Sequence, residues 1–259
     1  DLPLPILSVR HNTIEAVNEI DSLVVHVSSN DFQKIDIAKS LVYRHVDYEK
    51  INDKLKLEKI RKQTPEIFKY EILERACSEK KRIVLPEGND DRTLKAAAWA
   101  REREIADIIL LGDENLIMKK VASLGLKLDN GIEIINPNKS KNFEDYVNTY
   151  YELRKHKHYT IDIARDRMQD TIYYGTMMIH KGEADGLVAG AVHTTQQTIR
   201  PAFEIIKTKP DIKNASSIFL MCLKDRVLVY GDCAIIPIPT AEQLSDIAIT
   251  SADTAKNFG

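Results

Sequence analysis

Residues 82–103 read RIVLPEGNDDRTLKAAAWARER. The stretch opens with an apolar β-branched run, Arg82 to Leu85, of the kind that suits a buried strand. Pro86, Glu87 and Gly88 then end the run. From about Thr93 to Arg103 the period changes, and Leu94, Ala97, Ala98 and Trp99 fall on one helical stripe. A strand that leads through a short turn into a helix is half of a β–α–β unit.

The same unit recurs downstream. Asp107 to Leu111 is a strand closed by Gly112, with Asp113 placed to cap a helix that stops near Gly125. Ile132 to Ile135 is another strand, broken by Pro137. Two helices are predicted next, Phe143 to Lys157 and Thr160 to Lys181, the second ended by Gly182. Gly186 to Val188 is a strand, and Thr194 to Ile206 a helix. Ser217 to Leu223 and Val227 to Tyr230 are separated by three residues, too few for a parallel crossover, so they read as an antiparallel hairpin. Thr240 and Gln243 have capping-box spacing and open a helix to about Phe258. Upstream, Thr64 and Pro65 begin a helix with Phe68, Ile72, Leu73 and Ala76 on its stripe. The expectation is an α/β protein, a three-layer αβα domain with a mostly parallel sheet and an antiparallel hairpin.

Residues 1–46 hold two further β–α units, too few to cover a sheet by themselves, and residues 47–63 form a charged linker without Gly or Pro. The 259 residues are 43% hydrophobic and 29% charged, with a formal charge of −2. That balance is globular and offers no basic field for nucleic acid and no polybasic patch for a membrane. No apolar run approaches the roughly 18 residues of a spanning helix. Three scattered cysteines without CxxC spacing read as reduced thiols of a cytoplasmic protein, with no zinc framework.

Ligands of open α/β sheets bind beyond the carboxyl ends of the strands. The run after Gly186 to Val188 is AGAVHTTQQTIRP. Gly190, between two alanines, would let a ligand approach the backbone. Thr194 and Thr195 bring hydroxyls to a helix N-terminus, which favours an anion, and Arg200 lies one to two turns on. The plainer reading makes Thr194 an N-cap and Arg200 a surface cation, and pattern alone favours it. His193 reads either as a base or ligand or as a structural turn residue. In YYELRKHKH, residues 150–158, Arg154 belongs to a basic run that a helix C-terminus would attract without any ligand. Glu87, Asp90 and Asp91 follow the first strand onto the same edge of the sheet. P-loop, dinucleotide, GxSxG and HExxH patterns are absent.

The runs RIVLPEGNDDRTLKAAA, YYELRKHK, DGLVAGAVHTTQQTIRPAFEIIKT, SSIFLM and RVLVYGDCAIIPIPTAEQLSDIAITSADTAK, in this order, resemble the phosphate acetyltransferase family over residues 64–259. Residues 1–46 resemble the end of the regulatory DRTGG-type domain of long bacterial forms. The resemblance implies acetyl transfer between coenzyme A and inorganic phosphate, with coenzyme A as a substrate and no resident cofactor. It implies a homo-oligomer. Arg154 and Arg200 then become substrate-binding arginines, and Thr194 and Thr195 lie near the phosphate end of acetyl phosphate, which reverses the preference drawn from pattern. Family members place a Ser-Arg pair and an Asp base in a second lobe, so the catalytic groups themselves are expected beyond Gly259. Residues 64–259 are thus expected to form the first catalytic lobe, one wall of the cleft, and the 259-residue chain to turn over negligibly alone. A malic-enzyme-type sensing module and a butyryl- or propionyl-transferring enzyme are the alternatives.

Overall fold

The computed structural model describes residues 64–128, 131–208, 212 and 214–258. The partial regulatory domain and the linker expected before residue 64 lie outside the described residues. So does Gly259, and the proton-transfer groups expected beyond it have no counterpart to compare in the structure.

Helix α1 (Pro65–Ser78) starts where the sequence places it, with the Thr64 hydroxyl accepting the Ile67 N–H at 3.3 Å. Strands β1 (Lys81–Leu85), β2 (Ala106–Leu111) and β3 (Ile132–Ile135) alternate with α2 (Asp91–Glu102) and α3 (Glu114–Ser123). Asp90 and Asp113 cap these two helices through their carboxylates. A 3₁₀ turn (Pro137–Lys139) leads to α4 (Phe143–Arg154), then come α5 (Ile161–Gln169), α6 (Thr171–His180), β4 (Gly186–Leu187) and α7 (Thr195–Ile205). Strands β5 (Ile218–Cys222) and β6 (Val227–Gly231) precede α8 (Ala241–Phe258).

Among the described residues, four strands form a parallel sheet in the order β3-β2-β1-β4. The hairpin β5–β6 is antiparallel, as expected, and pairs within itself as a separate sheet against which α8 packs. The alternation of β2 shows why three layers form. Ile108 and Leu110 point to a cluster with Leu94 and Ala97 of α2 and Ile117 and Val121 of α3. Ile109 and Leu111 point the other way, to Tyr146, Tyr150, Met168, Tyr173, Tyr174 and Met177 of α4, α5 and α6. Each such side chain contributes about 1.5–3 kcal/mol when fully buried, so both faces must be covered.

Two helical expectations are corrected. Thr160 to Lys181 is two helices, because Asp170 is extended (ψ 127°) and its carboxylate accepts the N–H groups of Ile172 and Tyr173 at 2.8 and 3.2 Å. The helix predicted to reach Lys157 leaves α geometry at Arg154 and closes as a 3₁₀ turn on His158, whose φ is 61°.

Gly175 has a packing reason. A Cβ there would lie 2.9 Å from both Leu187 Cδ1 and Val84 Cγ1. The missing methyl lets α6 lie directly on the sheet.

Candidate functional site

The chain leaves β1 for β2 on one side, whereas β4 lies on the other side of β1. The sheet therefore has its topological switch point between the carboxyl ends of β1 and β4, where a crevice opens in such folds. The loops that meet there are residues 86–90 and 188–194. They are joined by one side chain.

Glu87 is 7% exposed, and both of its oxygens face the second loop. Oε2 accepts the N–H groups of Gly190 and Ala191 at 3.1 and 2.8 Å. Oε1 accepts those of Val192 and His193 at 2.8 and 2.9 Å, and the His193 ring Nδ1 lies 2.9 Å from the same oxygen. Four successive N–H groups turned toward one anion form a nest. Burial acts to raise the Glu87 carboxyl, but donation from His193, Val192 and Ala191 outweighs it and holds the group at about 2. The Arg92 guanidinium donates to the Ala191 carbonyl and also pairs with Asp90, so the loop is held on both sides.

This arrangement changes the expected part of Gly190. Its surroundings are open where a Cβ would be, and its φ of 112° is what requires glycine. The backbone N–H groups of Gly190, Ala191, Val192 and His193 are bonded to Glu87. Thr194 is the N-cap of α7, in a capping box with Gln197. The Gln197 N–H donates to the Thr194 hydroxyl at 3.3 Å, and the Thr194 N–H to Gln197 Oε1 at 2.8 Å. Thr195 is exposed in the first turn.

The two arginines meet elsewhere on α7, which packs on both α6 and α4. That packing brings Glu204 of α7 beside Tyr150 of α4 and Tyr173 of α6. Glu204 is 7% exposed. Its Oε2 accepts the Tyr150 hydroxyl at 2.7 Å and the Tyr173 hydroxyl at 2.9 Å. Its Oε1 accepts Arg200 Nε at 2.9 Å and has Arg154 Nη2 at 3.9 Å. Burial acts to raise the Glu204 carboxyl, yet the Tyr150, Arg200 and Tyr173 hydrogen bonds leave it below its ordinary value. Burial, followed by the Glu204 contact, pushes the Tyr173 phenol up to about 12. Arg154 Nε is buried without a hydrogen-bond partner, and its guanidinium stacks 5.2 Å from the centre of the Tyr159 ring. The Arg200 side chain is half exposed.

Arg154 and Arg200, 46 residues apart in the sequence, are thus gathered by one carboxylate. Among the described residues Glu204 is the acid within ion-pair distance of either. Glu204 was missed in the sequence, although its i,i+4 spacing from Arg200 was a usable signal. Of the three acids noted after β1, Asp90 caps α2 and Asp91 pairs with Lys120 at 2.8 Å, which leaves Glu87 to organise the loop after β4. A cavity of about 360 Å³ lies near the other end of α7, lined by Phe203, Lys207, Asn214, Ile236 and Gln243, and contains none of the expected residues. Among the described residues, no group of three or more His, Cys, Asp and Glu could hold a metal ion. No described helix is long and apolar enough to cross a membrane.

A phosphate acetyltransferase of Nitratidesulfovibrio vulgaris is 48% identical over 258 residues, which are 100% of this chain and 36% of that protein. The Escherichia coli phosphate acetyltransferase is 44% identical over 257 residues, 99% of this chain and 36% of that one. The chain therefore spans about a third of the length of these relatives. A phosphotransacetylase structure from Streptococcus pyogenes superposes with a TM-score of 0.71 at 37% identity, covering 76% of this chain and 60% of that one. One from Staphylococcus aureus gives 0.70 at 38%, covering 76% and 59%. The model of the phosphate acetyl/butaryl transferase family matches residues 67–259. By its sequence and its fold, the chain belongs to the phosphate acetyl/butaryl transferase family.

Proposed function

We propose that this chain is part of a phosphate acetyltransferase, which moves acetyl between coenzyme A and inorganic phosphate. It supplies the groups that hold the phosphate end. The observation that carries the proposal is the charge balance at Glu204. Two guanidinium groups face one carboxylate, and Arg154 keeps a buried Nε without a partner. One surplus positive charge, partly removed from water, favours a bound anion. Arg200 uses Nε for Glu204, which leaves its outer nitrogens to meet phosphate oxygens two at a time. Thr195 adds a hydroxyl at the helix start, Thr194 holds that start by capping it, and Gly190 and His193 shape the adjoining loop.

In the transfer, a phosphate oxygen bonds to the acetyl carbon and the carbon–sulfur bond breaks with its electron pair on sulfur. The arginines would place the phosphate and offset its charge, a contribution typical of fixed cations near reacting phosphoryl groups. Acetyl is preferred over butyryl because the named relatives at 44–48% identity are acetyltransferases. The enzyme is proposed to act in the cytoplasm as a homo-oligomer. Exposed, unbridged Cys77 and Cys222 fit a reducing compartment.

Calorimetric titration of the 259-residue chain with inorganic phosphate and with acetyl phosphate tests the reading. Saturable binding is expected, and Arg200→Ala or Arg154→Ala should weaken it about tenfold or more, the loss of one charged hydrogen bond. No saturable binding, or binding indifferent to both substitutions, would sink it.

A further inference from the structure

The Glu87 carboxylate is met by five groups within hydrogen-bond distance. Four are backbone N–H groups, and the fifth is the imidazole of His193 at Nδ1. An ionised carboxylate can only accept. The proton of a neutral His193 ring must therefore sit on Nδ1, which leaves Nε2 with a bare lone pair. No described residue donates to that nitrogen, and the side chain is 26% exposed. His193 also directly precedes Thr194 and Thr195, at the start of the helix that carries Arg200.

We propose that Glu87 is a positioning residue that fixes His193 as a hydrogen-bond acceptor at Nε2, and that its ligand is the P–OH group of hydrogen phosphate. This rests on the phosphate site proposed above and adds what that site lacks. Arginine N–H and threonine O–H groups read the charged oxygens of phosphate, whereas a lone pair reads the one oxygen that bears a proton. The acceptor also has a use in the transfer. As a phosphate oxygen bonds to the acetyl carbon and sulfur leaves with the carbon–sulfur pair, the P–OH proton passes to His193 Nε2. The reverse reaction returns it.

The backbone nest makes the device stiff. Glu87 cannot turn toward another partner without abandoning four N–H groups at once. Gln could not replace it, since its amide NH₂ would face donors.

Proton–nitrogen correlation of the ¹⁵N-labelled 259-residue chain at mildly alkaline pH reads the tautomer directly. The expected result is a protonated Nδ1 and a bare Nε2 for His193. Added inorganic phosphate should then move the Nε2 resonance saturably. His193→Asn keeps an amide donor for Glu87 and removes Nε2. It should weaken phosphate binding about tenfold and leave the thermal midpoint in place. Glu87→Gln should mix the two tautomers; if that variant does not fold, the native tautomer and His193→Asn still decide. A proton on Nε2 in the native chain, or His193→Asn binding phosphate as the native chain does, would overturn the proposal. So would retention of the Nδ1–H tautomer in folded Glu87→Gln. A phosphate response at Arg200 without one at His193 overturns this inference alone. No response at either overturns the phosphate site with it.

Discussion

Glu87 and Glu204 are both buried acids that collect several donors, yet they are built from different material. Glu87 is wrapped by backbone N–H groups of one loop, which have no rotational freedom and can donate only. Glu204 is wrapped by side chains from α4, α6 and α7, namely two phenols and two guanidinium groups. A hydroxyl can reverse its role, and a half-exposed arginine can swing to another anion. The difference divides the labour. The nest holds shape, and the side-chain cluster keeps cations that a ligand can claim.

The sharpest way to break this contrast is Glu87→Gln. An amide nitrogen against fixed N–H donors cannot be accommodated, and the loss should be about 3 kcal/mol or more, the range for a broken buried charge network. Urea denaturation of native and variant chains measures it. A loss below about 1 kcal/mol would place Glu87 in the same class as Glu204.

Acid gives a second view of the same site. The Glu87 carboxyl lies at about 2 in the folded chain, below its ordinary 4.5. Its stabilising contribution is complete above about 4.5 and drains away as pH falls toward 2. The native thermal midpoint should drop across that window, and Glu87→Gln should lack this part of the drop. Parallel curves would mean the charge is not what the nest holds.

Glu204→Gln should cost only about 1 kcal/mol, because Tyr150 and Tyr173 can accept from the new amide instead of donating. It should also tighten phosphate binding several-fold at low salt, since the competing anion is gone. Weaker binding would show that Glu204 orients the arginines more than it competes for them. The smallest effect is expected from Tyr173→Phe, about 0.5–1.5 kcal/mol for one hydrogen bond, with Tyr150 still in place. A calorimetric scan that finds more would show the two phenols acting as a unit.

What the sequence disclosed follows from the range of the forces involved. Caps such as Thr64, Asp90, Asp113, Thr194 and Thr240 act within three residues, so the element starts could be read locally. The parallel sheet followed from the repeated strand–turn–helix period. The break at Asp170 was local too, but an apolar stripe continuing across it hid the cap. Glu87 was visible only as an acid on the right edge of the sheet. Its partners lie 103 to 106 residues away, and no spacing announces such a pair. Glu204 was within reach through Arg200, whereas Tyr150 and Tyr173 join it only when three helices pack. Arg154 came from family resemblance, because its basic run had an adequate local explanation.

Gly175 has a consequence for that cluster. It sits two residues after Tyr173 in α6, where an absent methyl sets how deep the helix settles on Val84 and Leu187. The height of the Tyr173 phenol under Glu204 is therefore dictated from the far side of the helix, by the girth of Val84 and Leu187 on the sheet. Exchanging Val84 or Leu187 for a slightly larger or smaller side chain would act as a shim. It would raise or lower one phenol by fractions of an ångström and retune the grip on Arg200, with the site's own residues unchanged.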